Sequence, residues 1–92
     1  MTQCRGWYDI WGGVTAKAFV EMLVRRGKVG RTLQELRRMD EFQAISVVTG
    51  HCDIIGIVEV SDIDALTRLV ADKIQALEGI TRTETLVCLP AP

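Results

Sequence analysis

The sequence predicts an α+β domain in which four antiparallel strands carry two helices on one face. Three observations lead there. The stretch Val47-Val48-Thr49-Gly50-His51-Cys52-Asp53-Ile54-Ile55-Gly56-Ile57-Val58-Glu59-Val60 reads as two apolar strands joined by a turn. Segments of alternating hydrophobicity lie near both ends of the chain, at residues 16–24 and 81–89. Between strands, the apolar spacing switches twice to that of a helix face, at residues 29–39 and 61–77.

Each element has its own local warrant. In residues 16–24, Ala18, Val20, Met22 and Val24 alternate with Lys17, Phe19, Glu21 and Leu23, so the second face is also partly apolar. Arg25-Arg26-Gly27-Lys28 is a basic turn, read as a solvated loop because it lacks the glycine-rich cradle of a phosphate site. Val29, Leu33 and Leu36 then recur at i, i+4 and i+7, marking a helix whose other faces carry Thr32, Gln34, Glu35, Arg37 and Arg38. Residues 42–48 form the first hairpin strand, and residues 54–60 the second. Gly50 supplies the permissive backbone at the turn, and Asp53 closes it with a short carboxylate. A hairpin this apolar is expected to be buried on most of both faces.

Ser61-Asp62-Ile63-Asp64 has the pattern of a capping box and opens the second helix. Ile63, Leu66, Val70, Ile74 and Leu77 form its apolar stripe, and Gly79 stands where a left-handed C-cap is expected. In the last strand Thr81, Thr83 and Thr85 share one face, with Arg82, Glu84 and Leu86 on the other. Pro90 and Pro92 end it. The order β-α-β-β-α-β is the split-βαβ, ferredoxin-like arrangement. Right-handed crossovers place both helices on one face. The other face has Phe19, Leu23, Ile55, Ile57 and Val87 as candidates, an apolar patch expected to be covered by a second copy of the chain, as in a dimeric α/β barrel.

Composition narrows the function. A chain of 92 residues is one small domain, and a formal net charge of −1 lacks the basic field that nucleic acid demands. No apolar run approaches the length of a membrane span, and no signal peptide is evident, so a cytoplasmic location is expected. The three cysteines, Cys4, Cys52 and Cys88, are widely spaced and include no C-x-x-C pair. A disulfide framework is not expected. A zinc site drawn from them and His51 would lack the close ligand pairs that structural zinc uses, so no metal or cofactor is expected. Cys88 reads as a small buried hydrophobe.

Residues 1–15 differ from the rest. Trp7, Tyr8 and Trp11 stand among Gly6, Gly12 and Gly13, and this aromatic, glycine-rich arm is expected to pack on its own domain or on a neighbouring chain.

Three stretches carry a family resemblance: Val48-Thr49-Gly50-His51-Cys52-Asp53, Glu59-Val60-Ser61-Asp62, and Leu77-Glu78-Gly79-Ile80-Thr81-Arg82-Thr83-Glu84-Thr85. Over about residues 17–89 the chain resembles the effector-binding (RAM) domain of the Lrp/AsnC, or feast/famine, transcriptional regulators. The resemblance assigns residues 16–92 to such a domain. It implies dimers formed through the sheets, assembly into rings that are often octamers, and small effectors, usually amino acids, bound between dimers. It places Gly50 and Asp53 at that cleft, together with residues of the last strand, here Thr81, Thr83 and Thr85. Full-length members carry an N-terminal helix-turn-helix. This chain instead resembles the stand-alone form, which would not bind DNA directly and could act through a full-length DNA-binding regulator. The position before Asp53 is often aromatic in the family and is Cys52 here, which changes the pocket.

The candidate ligand-binding set is therefore Thr49, Gly50, His51, Asp53, Thr81, Thr83 and Thr85. Backbone N–H groups in a glycine turn suit a carboxylate, an aspartate suits an ammonium, and threonine hydroxyls donate or accept. The plainer alternatives are that Asp53 caps its own turn, that the threonines are only strand formers, and that His51 is an exposed turn residue. Catalysis finds little support in a chain with one histidine and no nucleophile–base pattern. The competing functions are a structural partner of a full-length regulator and, further off, an enzyme of the dimeric α/β-barrel kind.

Overall fold

The computed structural model describes residues 16–89. The elements follow the expected order: β1 Ala16–Val24, α1 Val29–Leu36, β2 Phe42–Val47, β3 Ile54–Val60, α2 Ile63–Arg68 running directly into a π-helical segment Leu69–Ile74, and β4 Ile80–Val87. The aromatic arm, residues 1–15, lies outside the described residues. The strands form one sheet in the order β2-β3-β1-β4, and every neighbouring pair is antiparallel. None of the described helices is long and apolar enough to cross a membrane.

Alternation in β1 separates the two faces. Ala16, Ala18, Val20 and Met22 are buried, whereas Lys17, Phe19, Glu21 and Leu23 are only half-buried. Of the buried set, Ala18, Val20 and Met22 meet Ile54, Val58, Leu36, Leu66, Leu69 and Ile74 in one core between sheet and helices. Register carries this face to the neighbours, because directly paired residues share a side. Val20 stands opposite Gly56 and Thr85, and Met22 opposite Ile54 and Thr83. The open face takes the alternate set: Phe19 opposite Ile57 and Leu86, Glu21 opposite Ile55 and Glu84, and Leu23 opposite Arg82.

The apolar open face is thus present with one change of membership. Phe19, Leu23, Ile55 and Ile57 belong to it, but Val87 pairs with Ala18 and lies on the helix side. Leu86, 45% exposed, takes its place. The hairpin also differs from expectation. β3 is well buried, but β2 is an edge strand with Val47 53% exposed. An edge strand lacks a neighbour along one hydrogen-bonding side, so its side chains miss the flanking contacts that a central strand receives.

Both helices depart from the simple pattern for local reasons. α1 stops at Leu36, and the next turn tightens through i→i−3 bonds from Arg38 to Glu35 and from Met39 to Leu36. Thr32, expected on an outer face, is buried beside the Val29–Leu33–Leu36 stripe. In α2 the N-cap is Asp62, not Ser61: its Oδ1 accepts the Ala65 N–H at 2.8 Å. The Gln75 N–H bonds to Val70 O, an i→i−5 bond at 2.9 Å. This wider turn sets Leu69 and Ile74, five residues apart, on the core with Leu66, whereas Ile63 in the first turn of α2 is 52% exposed. Gly79 is not a left-handed cap, because Gly27 and Gly50 are the positive-φ glycines among the described residues. A side chain at Gly79 would collide with the Thr32 hydroxyl, so its role is to let β4 start close against α1.

Candidate functional site

The hairpin turn between β2 and β3 is fastened to the end of β1. The Val48 N–H donates to Asp53 O at 2.9 Å, closing the turn. The Asp53 N–H donates to Met22 O at 2.9 Å, and Asp53 Oδ2 accepts the Val24 N–H at 2.8 Å. Gly50, at φ 127°, supplies a backbone conformation that other residues rarely adopt, with open space where a side chain would stand. The turn therefore projects over the sheet, and His51 Nε2 reaches Glu21 Oε1 at 3.0 Å.

Beside this contact lies a cleft of about 240 Å³ lined by Glu21, Leu23, His51, Cys52, Arg82, Thr83 and Glu84. Its position follows from the register. Glu21 and Leu23 of β1 face Glu84 and Arg82 of β4 across one strand spacing on the open side of the sheet. One wall therefore presents a guanidinium and a carboxylate two residues apart on one strand. Glu21 is 15% exposed at its side chain, whereas His51 is 76% exposed and has room to swing over the cleft. Cys52 is buried in the wall. Burial, followed by the charges of Glu21 and Asp53, pushes its thiol above the ordinary cysteine value. It is therefore a protonated thiol near neutral pH rather than an activated nucleophile.

The seven residues singled out from sequence divide into those at the cleft and those outside its walls. His51 and Thr83 line it; Thr49, Gly50, Asp53, Thr81 and Thr85 do not. Asp53 uses one carboxylate oxygen to hold Val24. The Thr81 hydroxyl donates to Leu23 O at 3.2 Å, at the irregularity where β1 and β4 shift register. The Thr83 hydroxyl accepts from Gln75 Nε2 at 3.0 Å. Thr85 stands opposite buried Val20. Strand alternation accounts for Thr85: its side chain, like that of Thr83, lies on the helix side, and Arg82 and Glu84 take the cleft side. The sequence pattern separates these two faces but does not single out Glu21, Leu23, Arg82 or Glu84. The signal that could have found them is the antiparallel pairing of β1 with β4, which is not written in either strand alone. The zinc set drawn from every cysteine is not assembled. Cys52 adjoins the Met22 end of β1, whereas the Cys88 N–H bonds to Lys17 O at the other end.

Comparison with known proteins agrees with this fold. A family model described as the Lrp/AsnC ligand binding domain matches residues 17–92. The chain is 32% identical over 75 residues to an uncharacterized HTH-type transcriptional regulator of Pyrococcus abyssi, covering 82% of this chain and 48% of that protein. It is 32% identical over 81 residues to the regulatory protein AsnC of Escherichia coli K12, covering 87% of this chain and 53% of AsnC. The chain thus spans about half the length of these curated relatives. The solved E. coli AsnC superposes with a TM-score of 0.79 at 31% identity, over 84% of this chain and 52% of that one. A solved protein of Thermus thermophilus, TTHA0845, gives a TM-score of 0.79 at 30% identity, over 84% of this chain and 96% of that one. Since the family match takes in the whole sheet and both helices, the chain belongs to the Lrp/AsnC family through its ligand binding domain.

Proposed function

We propose that this chain is an effector-sensing, oligomerising module of transcriptional regulation, and that the cleft beside the hairpin turn takes an amino acid. The observation that carries the reading is the pair of opposite charges in the cleft wall. Arg82 suits the carboxylate of a zwitterion, and Glu84 suits its ammonium. The Gly50 turn, with no side chain in the way, offers backbone N–H groups nearby. Asp53 serves this site by fixing the turn to β1. A regulator from Neisseria meningitidis that shares this fold is solved as a complex with L-Met, which makes methionine the first compound to test.

Assembly is part of the same reading. Phe19, Leu23, Ile55, Ile57 and Leu86 make the open face apolar, and a second copy packed sheet to sheet removes it from water. Such dimers then associate into a larger ring, with eight chains as the expected size. The formal net charge of −1 disfavours direct DNA binding, and in this reading the chain acts through a full-length DNA-binding regulator in the cytoplasm. The cleft offers a set of recognition groups with its thiol held protonated, which supports binding rather than turnover.

A thermal-shift screen of all amino acids tests the proposal. At least one is expected to raise the melting temperature of the parent protein. Arg82→Ala and Glu84→Gln should each weaken its binding by about ten- to a hundredfold, the loss of one charge-assisted hydrogen bond of about 1.5–3 kcal/mol. A screen in which no amino acid shifts the parent leaves the structural-partner reading in its place.

A further inference from the structure

Three different metal-ligating side chains among the lining residues of the cleft stand together. The ligand atoms of Glu21, His51 and Cys52 all lie within 4.8 Å of one another, and His51 Nε2 stands 3.0 Å from Glu21 Oε1. We propose that Glu21, His51 and Cys52 form a three-ligand site for a borderline-soft divalent cation of the Zn²⁺ type, with the fourth position open to the cleft. One carboxylate oxygen, one imidazole nitrogen and one thiolate sulfur make a donor set suited to Zn²⁺ rather than to Mg²⁺ or Ca²⁺.

The geometry is close to what such an ion needs. Zinc bonds of about 2.0–2.3 Å in a tetrahedron put donor atoms roughly 3.5 Å apart, so little more than about 1 Å of inward movement closes the set. His51 can supply it, being 76% exposed on a turn. The strand pairing adds a second, independent observation. Glu21 stands directly opposite Glu84 on the neighbouring strand, and like charges so placed repel. A cation bound at Glu21 removes that repulsion. On binding, the Cys52 thiol gives its proton to solvent and ligates as thiolate. The open fourth position is filled by water or by a donor atom of a small molecule in the cleft.

This site does not depend on the effector reading, and the experiment keeps the two apart. The full chain is freed of metal with chelator, kept reduced, and titrated with Co²⁺ as a spectroscopic stand-in for Zn²⁺. The parent is expected to show a near-ultraviolet thiolate-to-cobalt charge-transfer band that added Zn²⁺ abolishes. Cys52→Ser should lose the band, and a Cys4→Ser, Cys88→Ser double variant should keep it. His51→Ala, which alters only an exposed turn side chain, and Glu21→Gln should each weaken Co²⁺ binding at least tenfold. Absence of the band in the parent, its survival in Cys52→Ser, its loss in the double variant or unchanged affinity in His51→Ala overturns the proposal. The amino-acid screen is repeated with chelator present. An amino acid that still binds, in a protein without the cobalt band, removes the metal site and leaves the effector site standing.

Discussion

Asp53 Oδ2 accepts the backbone N–H of Val24 at 2.8 Å, so the residue whose backbone carbonyl closes the hairpin turn also finishes the end of β1 with its side chain. Removing it leaves a half-buried N–H without that acceptor. Asp53→Ala is expected to destabilise the protein by about 1–3 kcal/mol, and Asp53→Asn, which keeps an oxygen at the same place, by less. Urea unfolding checks this: the midpoint should fall while the slope stays that of the parent. Equal effects of the two substitutions would show that the carboxylate charge, which both remove, and not the retained acceptor oxygen, matters at this position.

Gly79 and Thr32 form a second tight pair. A Cβ on Gly79 would collide with Thr32 Oγ1 and stand 3.2 Å from Lys28 Cβ. Gly79→Ala should therefore cost about 1–3 kcal/mol, as overpacking does. Thr32→Ala removes the hydroxyl, so the double variant should be more stable than the sum of the two single effects implies. A double-mutant cycle with no coupling energy contradicts that contact.

Glu41 and Lys73 give a pH dependence with a definite sign. Glu41 Oε2 accepts from Lys73 Nζ at 2.8 Å, linking the start of β2 to the π-helical segment. This bond, then a bond to its own backbone amide, lowers the Glu41 pKa. The folded state therefore binds fewer protons at this group than the unfolded chain does. Its contribution is complete above the unfolded glutamate value of about 4.3 and is lost as pH falls through the lowered folded value. Lys73 is 54% exposed at its side chain, so the contribution is that of a surface pair, about 0–1 kcal/mol. The difference in stability between parent and Lys73→Met should shrink from pH 7 to pH 3. A constant difference across that range would mean that Lys73 acts through packing alone.

Phe19 and Ile57 are cross-strand partners at the middle of the open face. If that face is the dimer surface, Phe19→Lys places a charge where apolar groups meet, and the dimer should weaken at least tenfold. Light scattering across a dilution series reads this directly. The same substitution should leave the monomer folded, because Phe19 points away from the core between sheet and helices. A dimer of unchanged strength would move the interface elsewhere.

Much of the fold was legible because alternation and helical spacing are local properties. β1 and β3 begin and end where their patterns do, and the order of elements follows. The misses fall where a distant neighbour decides. Val87 and Leu86 are both apolar, and only pairing with Ala18 and Phe19 says which one faces outward. Thr32 is polar and buried because β4 starts beside it at Gly79. The cleft was legible only in part for the same reason. His51 could be found from its turn, whereas Glu21 and Glu84 meet through a pairing between strands far apart in sequence.

The π-helical segment Leu69–Ile74 has a consequence for how this chain can change length. A π turn is an α-helical turn with one residue more, and here that residue sets Leu69 and Ile74 five positions apart on the same buried side. Deleting Ala71 restores a spacing of four, which an α-helix also places on one side. The segment is therefore a point where a single codon can be lost or gained in evolution while both flanking leucine and isoleucine anchors keep their seats on the sheet.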